Sequence, residues 1–168
     1  LVNPQSPYGL QKYMGELKCQ LFSRLYNLET VCLRYFTVYG ARFHTQGDYS
    51  LAIGKFLGQR QQGQPMTITG TGRQSRDFTN VYDVVRANIL AMKSDKVGRG
   101  EAINIGGGDD HTINTVAKLI GGPVVYIEPR LEPKRTLADV SLAKKLLNWQ
   151  PTIKLPEGIE ELKRFYSV

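Results

Sequence analysis

The chain has 168 residues, 41% hydrophobic and 22% charged, a composition that suits one globular unit with a core of its own. Its net charge of +7 invites a nucleic-acid partner, but Lys and Arg are scattered, and no recognition helix, zinc spacing or aromatic single-strand platform accompanies them. No apolar run approaches the roughly 18 to 20 residues that a membrane span needs, and neither secretory-signal patterning nor a membrane partner is expected.

Ser6 and Pro7 open a predicted helix as N-cap and first helical residue, where a missing N–H costs nothing, and the helix is expected to run to Tyr26 with Asn27 as its stop. Residues 30–36 are β-branched and aromatic and predict a buried strand. Tyr39 to Tyr49 reads as a loop, Leu51 to Gln61 as a helix, and Thr67 to Thr69 as a short strand closed by Gly70-Thr71-Gly72. A helix from Asp83 to Lys93 is expected to bury Val84, Val85, Ala87, Ile89 and Leu90. A strand at Ala102–Ile105, a helix capped by Thr112, a strand at Val124–Ile127 and helices near Ser141–Leu147 and Pro156–Tyr166 complete the chain, the last with Ile159, Leu162 and Phe165 at helical spacing. Cys19 and Cys32 read as small buried hydrophobes of a reducing compartment, so the expected location is cytoplasmic and no metal site or disulfide is expected. Helices alternating with short strands are an α/β pattern. No Gly-x-Gly-x-x-Gly follows a strand anywhere, and Gly106-Gly107-Gly108 lacks the spacing.

The first helix carries the candidate chemistry. Tyr8 and Lys12 are four residues apart, so they point about 40° from each other on one face. Leu10, Met14, Leu17, Leu21 and Leu25 fall on the other side, as a stripe made to pack inward. A phenol is a poor base at neutral pH, and a cation one turn away together with the positive end of the helix dipole favours the phenolate. Such a pair can move a proton on a sugar hydroxyl while a nicotinamide takes the hydride. Tyr-x-x-x-Lys also arises by chance as two polar residues on the open side of a helix.

Ser6-Pro7-Tyr8-Gly9-Leu10-Gln11-Lys12, followed by Gly15-Glu16, resembles the catalytic helix of the extended short-chain dehydrogenase/reductase family that acts on nucleotide sugars. Similar blocks follow in order: Leu33-Arg34-Tyr35-Phe36-Thr37-Val38-Tyr39-Gly40, then Gly70-x-Gly-x-Gln-x-Arg76-Asp77-Phe78 with Val81-x-Asp83-Val84, then Asn104-Ile105-Gly106. Ala138-Asp139-x-Ser141 and Leu146-Leu147-x-Trp149-x-Pro151 resemble the family's closing signature.

The resemblance implies an incomplete Rossmann-type α/β fold without the amino-terminal strands, plus a small mixed α/β substrate-binding part. Residues 1–48 and about 80–106 would be remnants of the dinucleotide-binding layer, and about 49–79 and 107–168 the substrate-binding part. It implies Tyr8 as the catalytic acid/base and Lys12 on the nicotinamide ribose, with Tyr35 and Val38 beside the nicotinamide. Lys55, Arg76 and Arg130 would face the nucleotide diphosphate and Glu132 the nucleotide ribose, with surface ion pairing as the plain alternative for the two arginines. Thr37 stands where the family carries an Asn that contacts substrate, and Tyr82 where an acid is common. The implied partner is a UDP-, dTDP- or GDP-linked sugar. The implied cofactor is NAD or NADP in the full-length parent, with none held tightly by this chain alone, because the glycine-rich turn and a catalytic Ser/Thr lie earlier in such enzymes. The first helix and the 30–36 strand need a large parallel sheet to cover them. Leu17, Leu21 and Val31 are therefore expected to be exposed and the chain to be a homo-oligomer. A second reading stays open, that of a non-catalytic nucleotide-binding or subunit-interaction module.

Overall fold

A computed structural model describes residues 2–42 and 51–168. In chain order the elements are α1 (Pro7–Tyr26), β1 (Thr30–Tyr35), β2 (Val38–Tyr39), α2 (Ala52–Gln61), β3 (Met66–Thr69), β4 (Ser75–Asp77) and β5 (Thr79–Asn80). They continue with α3 (Val81–Lys93), β6 (Arg99–Ile105), β7 (Asp110–Thr112), α4 (Ile113–Ile120), β8 (Val124–Ile127), α5 (Ser141–Leu147) and α6 (Leu155–Tyr166). The expected helices and longer strands are present. The short strands β2, β4, β5 and β7 are not legible in the sequence, because two or three residues carry too little alternation to register. Most of the loop expected from Tyr39 to Tyr49 lies outside the described residues; the part that is described begins as β2.

β1 and β6 pair in parallel, with Leu33 opposite Ile103 and Tyr35 opposite Ile105. The strand period of two sends Val31 and Leu33 to one face, where they pack on a cluster that includes Val84, Ala87, Ile103, Ile105, Leu147 and Trp149. Arg34 points to the other face and takes Glu16 of α1. The small sheet therefore lies between α1 on one side and α3 with α5 on the other. Val31 is half-buried in this packing and does not join the exposed surface expected for it.

A second core gathers Ile53, Phe56 and Leu57 of α2, Ile113, Val116 and Ile120 of α4, and Leu155, Ile159 and Leu162 of α6 around Met66, Ile68 and Tyr39. β3 pairs in parallel with β8, β4 antiparallel with β7, and β2 in parallel with β5. The β2–β5 pair joins the two cores, since β2 follows β1, β5 leads directly into α3, and Tyr39 of β2 is buried in the second core.

Helix faces differ from the sequence expectation in three places. α3 buries Asp83, Val84, Ala87 and Ala91, while Val85 and Ile89 stay 50% and 43% exposed. The row that meets the sheet runs through positions 84, 87 and 91, so its neighbours on the far side are left outward. In α6 the buried row is Leu155, Ile159 and Leu162, and its continuation is the half-buried Tyr166, so Phe165 is 55% exposed.

α1 forms as expected: Ser6 Oγ accepts the Gly9 N–H at 3.0 Å, no β-branched residue interrupts the helix, and Asn27 ends it with φ 52°. Yet it has no buried residue. It meets the sheet with a polar face, through Arg34 to Glu16, Ser23 Oγ to the Gly98 carbonyl at 2.8 Å and Thr30 Oγ1 to the Cys19 carbonyl at 3.0 Å. The approach to β6 is close: Gly100 has φ 80°, and a Cβ there would lie 2.6 Å from the Gln20 Cα. Leu10, Met14, Leu17, Leu21 and Leu25 of the apolar stripe do not pack inward; they are 39–60% exposed.

Candidate functional site

Two groups of candidate residues stand on different elements. The first is at the amino end of α1. Pro7 and the Ser6 cap start the helix so that Tyr8 and Lys12 fall one turn apart, and the Lys12 Nζ lies 5.5 Å from the centroid of the Tyr8 ring. Tyr8 is 69% exposed, so the pair looks outward from the sheet. The structure thus brings together the two residues that the spacing joins.

Tyr35 does not stand with them. Arg34 and Tyr35 alternate across β1, and the Tyr35 hydroxyl, on the α3 side, donates to Asn88 Oδ1 at 2.9 Å. Val38 is half-buried against the sheet-side cluster, and Thr37 places its carbonyl under the Thr79 N–H at 3.1 Å. Lys55, on α2, is half-buried, and it does not line the cleft that gathers the other substrate-side candidates.

That cleft has a volume of about 800 Å³ and opens beside the ends of β3 and β8. Tyr126, Arg73, Arg130, Glu132 and Lys134 line it, together with the Gly70 turn. Arg76 stands behind it on β4 and donates to Glu132 Oε2 at 2.6 Å, while its other nitrogen donates to the Ser75 and Pro133 carbonyls at 2.8 and 2.7 Å. Glu132 also accepts from Gln74 Nε2 at 3.3 Å, and Arg130 Nε is 3.8 Å from it. The side chains of Arg76 and Glu132 are only 14% and 19% exposed, whereas that of Arg130 is 73% exposed. The ion pair named as the plain alternative for Arg76 therefore exists, but it is largely enclosed and forms the wall of a cleft. A negative ligand entering here meets Arg73, Arg130 and Lys134 first, with Glu132 as the acceptor for a hydroxyl.

Sequence reasoning passes over Arg73, Gln74, Tyr126 and Lys134. Arg73 and Gln74 carry a signal, since both sit inside the glycine-containing block; Tyr126 comes to the cleft because β3 and β8 pair, and Lys134 stands in the segment after β8. It also assigns no role to two acids that face each other across β4 and β7, the buried Asp77 of the motif block and the half-buried Asp110. Asp77 accepts the N–H groups of Gly107 and Ala138, and although burial pushes its carboxyl above the ordinary range, these donors oppose the shift. Asp77 thereby ties the Arg76 segment to the glycine run after β6. Asp110, opposite it on β7, is held down to about 2 by the Arg135 fork and the Ser75 hydroxyl. No group of three or more His, Cys, Asp or Glu residues suited to a metal occurs among the described residues.

Residues 1–106 match the NAD dependent epimerase/dehydratase family. The chain belongs to that family. A putative UDP-glucose 4-epimerase of Methanocaldococcus jannaschii is 38% identical over 168 aligned residues, which are 96% of this chain and 53% of that protein. Among solved structures, a UDP-glucose 4-epimerase with UDP-glucose from Thermotoga maritima superposes with TM-score 0.90 at 36% identity, over 98% of this chain and 54% of that one. A UDP-glucuronic acid 4-epimerase from Bacillus cereus, in complex with UDP-glucuronic acid and NAD, superposes with TM-score 0.86 at 35% identity, over 99% and 54% of the respective chains. The chain spans about half the length of the curated relatives it matches. Its fold is accordingly part of the Rossmann-type α/β fold of the extended short-chain dehydrogenase/reductase epimerases. No described helix is long and apolar enough to cross a membrane.

Proposed function

We propose that this chain is the sugar-nucleotide-binding part of an NAD- or NADP-dependent nucleotide-sugar 4-epimerase or dehydratase. In this reading it supplies the Tyr8/Lys12 acid–base pair and the cleft for a nucleoside diphosphate. The observation that carries the reading is the Lys12 ammonium beside the outward-facing Tyr8 ring, in a chain of this family. Tyr8 Oη takes a proton from the sugar hydroxyl, or returns it, at the carbon that exchanges a hydride. Lys12 lends positive charge to that exchange and reaches for a ribose hydroxyl of the cofactor. The nicotinamide, when bound, supplies the hydride acceptor. The open face around Tyr8 and Lys12 suits a nicotinamide ribose, but no Gly-x-Gly-x-x-Gly occurs in the 168 residues to hold the pyrophosphate.

At the other end the diphosphate lies against Arg130 and the enclosed Arg76, with Lys55 closing from α2. The nucleotide ribose bonds Glu132. Residues 1–48 and about 80–106 belong with the dinucleotide-binding layer, with Tyr35, Thr37 and Val38 among them. The remainder forms the substrate side. The UDP-sugar ligands in the Thermotoga maritima and Bacillus cereus structures support a UDP-linked substrate.

Calorimetric titration with UDP tests the cleft. Weak saturable binding is expected, and Arg76→Ala should weaken it by about 1.5 to 3 kcal/mol, the scale of hydrogen bonds to charged groups. The exposed Arg130 should contribute less, with Arg130→Ala leaving the melting curve in place. UDP affinity unchanged in both variants would falsify the assignment of the diphosphate to this cleft.

A further inference from the structure

We propose that Cys19 and Cys32 form a thiol pair that a small-molecule disulfide oxidises to an internal bridge, fastening the Tyr8/Lys12 helix to its strand. They are the only cysteines of the chain, and both are free and half-buried. The packing of α1 on β1 puts them together. Glu16, one turn before Cys19, meets Arg34, the second residue after Cys32, at 2.6 Å. Thr30 Oγ1, two residues before Cys32 on the same face of the strand, donates to the Cys19 carbonyl itself. Cys19 is thus framed from both sides of Cys32. Among the described contacts nothing apolar anchors α1: the helix buries no residue and is held by polar contacts along one face. A covalent link across that face would limit its movement more than it would limit a helix with a buried stripe.

The order of events follows from the surroundings. Burial, then the neighbouring Cys19 thiol, pushes the Cys32 thiol up to about 11, so Cys32 holds its proton at neutral pH. Cys19 therefore attacks first. Its sulfur loses a proton, bonds to one sulfur of a dialkyl disulfide such as oxidised glutathione, and expels the other as a thiol. Cys32 then gives up its proton, attacks the Cys19 sulfur of the mixed disulfide and expels the second thiol. Two protein thiols are oxidised and one small disulfide is reduced to two thiols.

The experiment uses the 168-residue chain incubated with excess oxidised glutathione, then thiol titration and peptide mapping. Loss of both titratable thiols in a monomeric product, with tryptic peptides 19–24 and 25–34 joined by a Cys19–Cys32 bridge, is expected; dithiothreitol should restore both. Trypsin should cut after Lys18 and Arg24 more slowly in the bridged form. Cys32→Ser should accumulate a stable glutathione adduct on Cys19, and Cys19→Ser should take up little on Cys32. Two thiols that stay titratable, adducts on both cysteines without a bridge, or a bridge only between molecules would each overturn the proposal.

Discussion

Asp83 is 1% exposed and gathers the end of the chain onto α3. It accepts the N–H groups of Thr152 and Ile153 at 3.0 Å, the Thr152 hydroxyl at 2.8 Å and a nitrogen of Arg86, while its own carbonyl takes the Trp149 Nε1–H at 2.9 Å. Burial works to raise its pKa, but the Ile153 N–H, Arg86 and Thr152 outweigh it and hold the carboxyl below the ordinary range. A folded value below the unfolded one means that the stabilisation is fully present above the unfolded pKa of about 4 and is lost as pH falls through the folded value. Asp83→Asn keeps the shape but turns an amide group toward these donors. It should lower stability at pH 7 by about 2 to 3 kcal/mol. Urea melts of both proteins from pH 7 downward should converge once the pH has fallen below the ordinary carboxylate range. A gap that stays constant over that range would mean that the charge of Asp83 is not what the donors hold.

Two helices show how the same periodicity can lead to opposite outcomes. In α6 the row through Leu155, Ile159 and Leu162 is buried, and Gly158 lies beside it because Tyr39 occupies the space where a side chain would go. An alanine in a helix interior normally stabilises by about 1 kcal/mol over glycine. Here its Cβ would press on the Tyr39 hydroxyl and ring, and Tyr39 is 1% exposed with no open space to move into. Overpacking costs about 1 to 3 kcal/mol, so Gly158→Ala should lower the melting temperature despite the better helix former. A rise would show that Tyr39 can turn aside.

In α1 the apolar row is as regular, yet among the described residues nothing buries it, because the sheet beneath accepts a polar face instead. Leu17 and Leu21, 45% and 39% exposed, stand in a stripe of the kind that isolated monomers seldom leave open. The chain is expected to self-associate as concentration rises in sedimentation velocity. Leu17→Gln with Leu21→Gln should abolish the association and leave the melting curve in place, since neither side chain is buried in the fold. Association that survives both substitutions would move the interface elsewhere, with the row of Tyr82, Val85, Ile89 and Met92 on α3 the next candidate.

For the molecule as a whole, the separation of the two candidate groups decides what can be asked of it. Tyr8 and Lys12 stand on a layer with two strands, and the cleft beside β3 and β8 on a second core, with the β2–β5 pair between them. The 168-residue chain is expected to show no saturable NAD-dependent epimerisation of UDP-sugars, because it has no Gly-x-Gly-x-x-Gly turn to lead the pyrophosphate onto a helix N-terminus. In a longer protein that carries this sequence together with such a turn, Tyr8→Phe should leave UDP-sugar affinity nearly unchanged and remove most of kcat. The ring stays and only the ionisable hydroxyl goes. Turnover by the 168-residue chain would overturn the expected inactivity, and near wild-type kcat in the Tyr8→Phe protein would return the Tyr/Lys pair to a chance spacing.

The helices, the longer strands and the Tyr8/Lys12 pair were legible in the amino-acid order because their information is local. A cap, a turn residue, a period of 3.6 and a four-residue spacing each act within a few positions of one another. Ordered motif blocks extended that reach to the family. What lies far apart in the chain was not legible. Nothing local says that Glu132 would enclose Arg76, that Tyr126 would face Arg130 across a cleft, or that Asp83 would hold residues 152 and 153. Nor does periodicity say which side of an amphipathic helix finds a partner. The stripe of α1 and the row of α6 look alike along the chain, and only the packing of sheet, helix and loop against each side left one in solvent and buried the other. Burial is a property of what arrives from elsewhere in the fold, and tertiary structure alone supplies it.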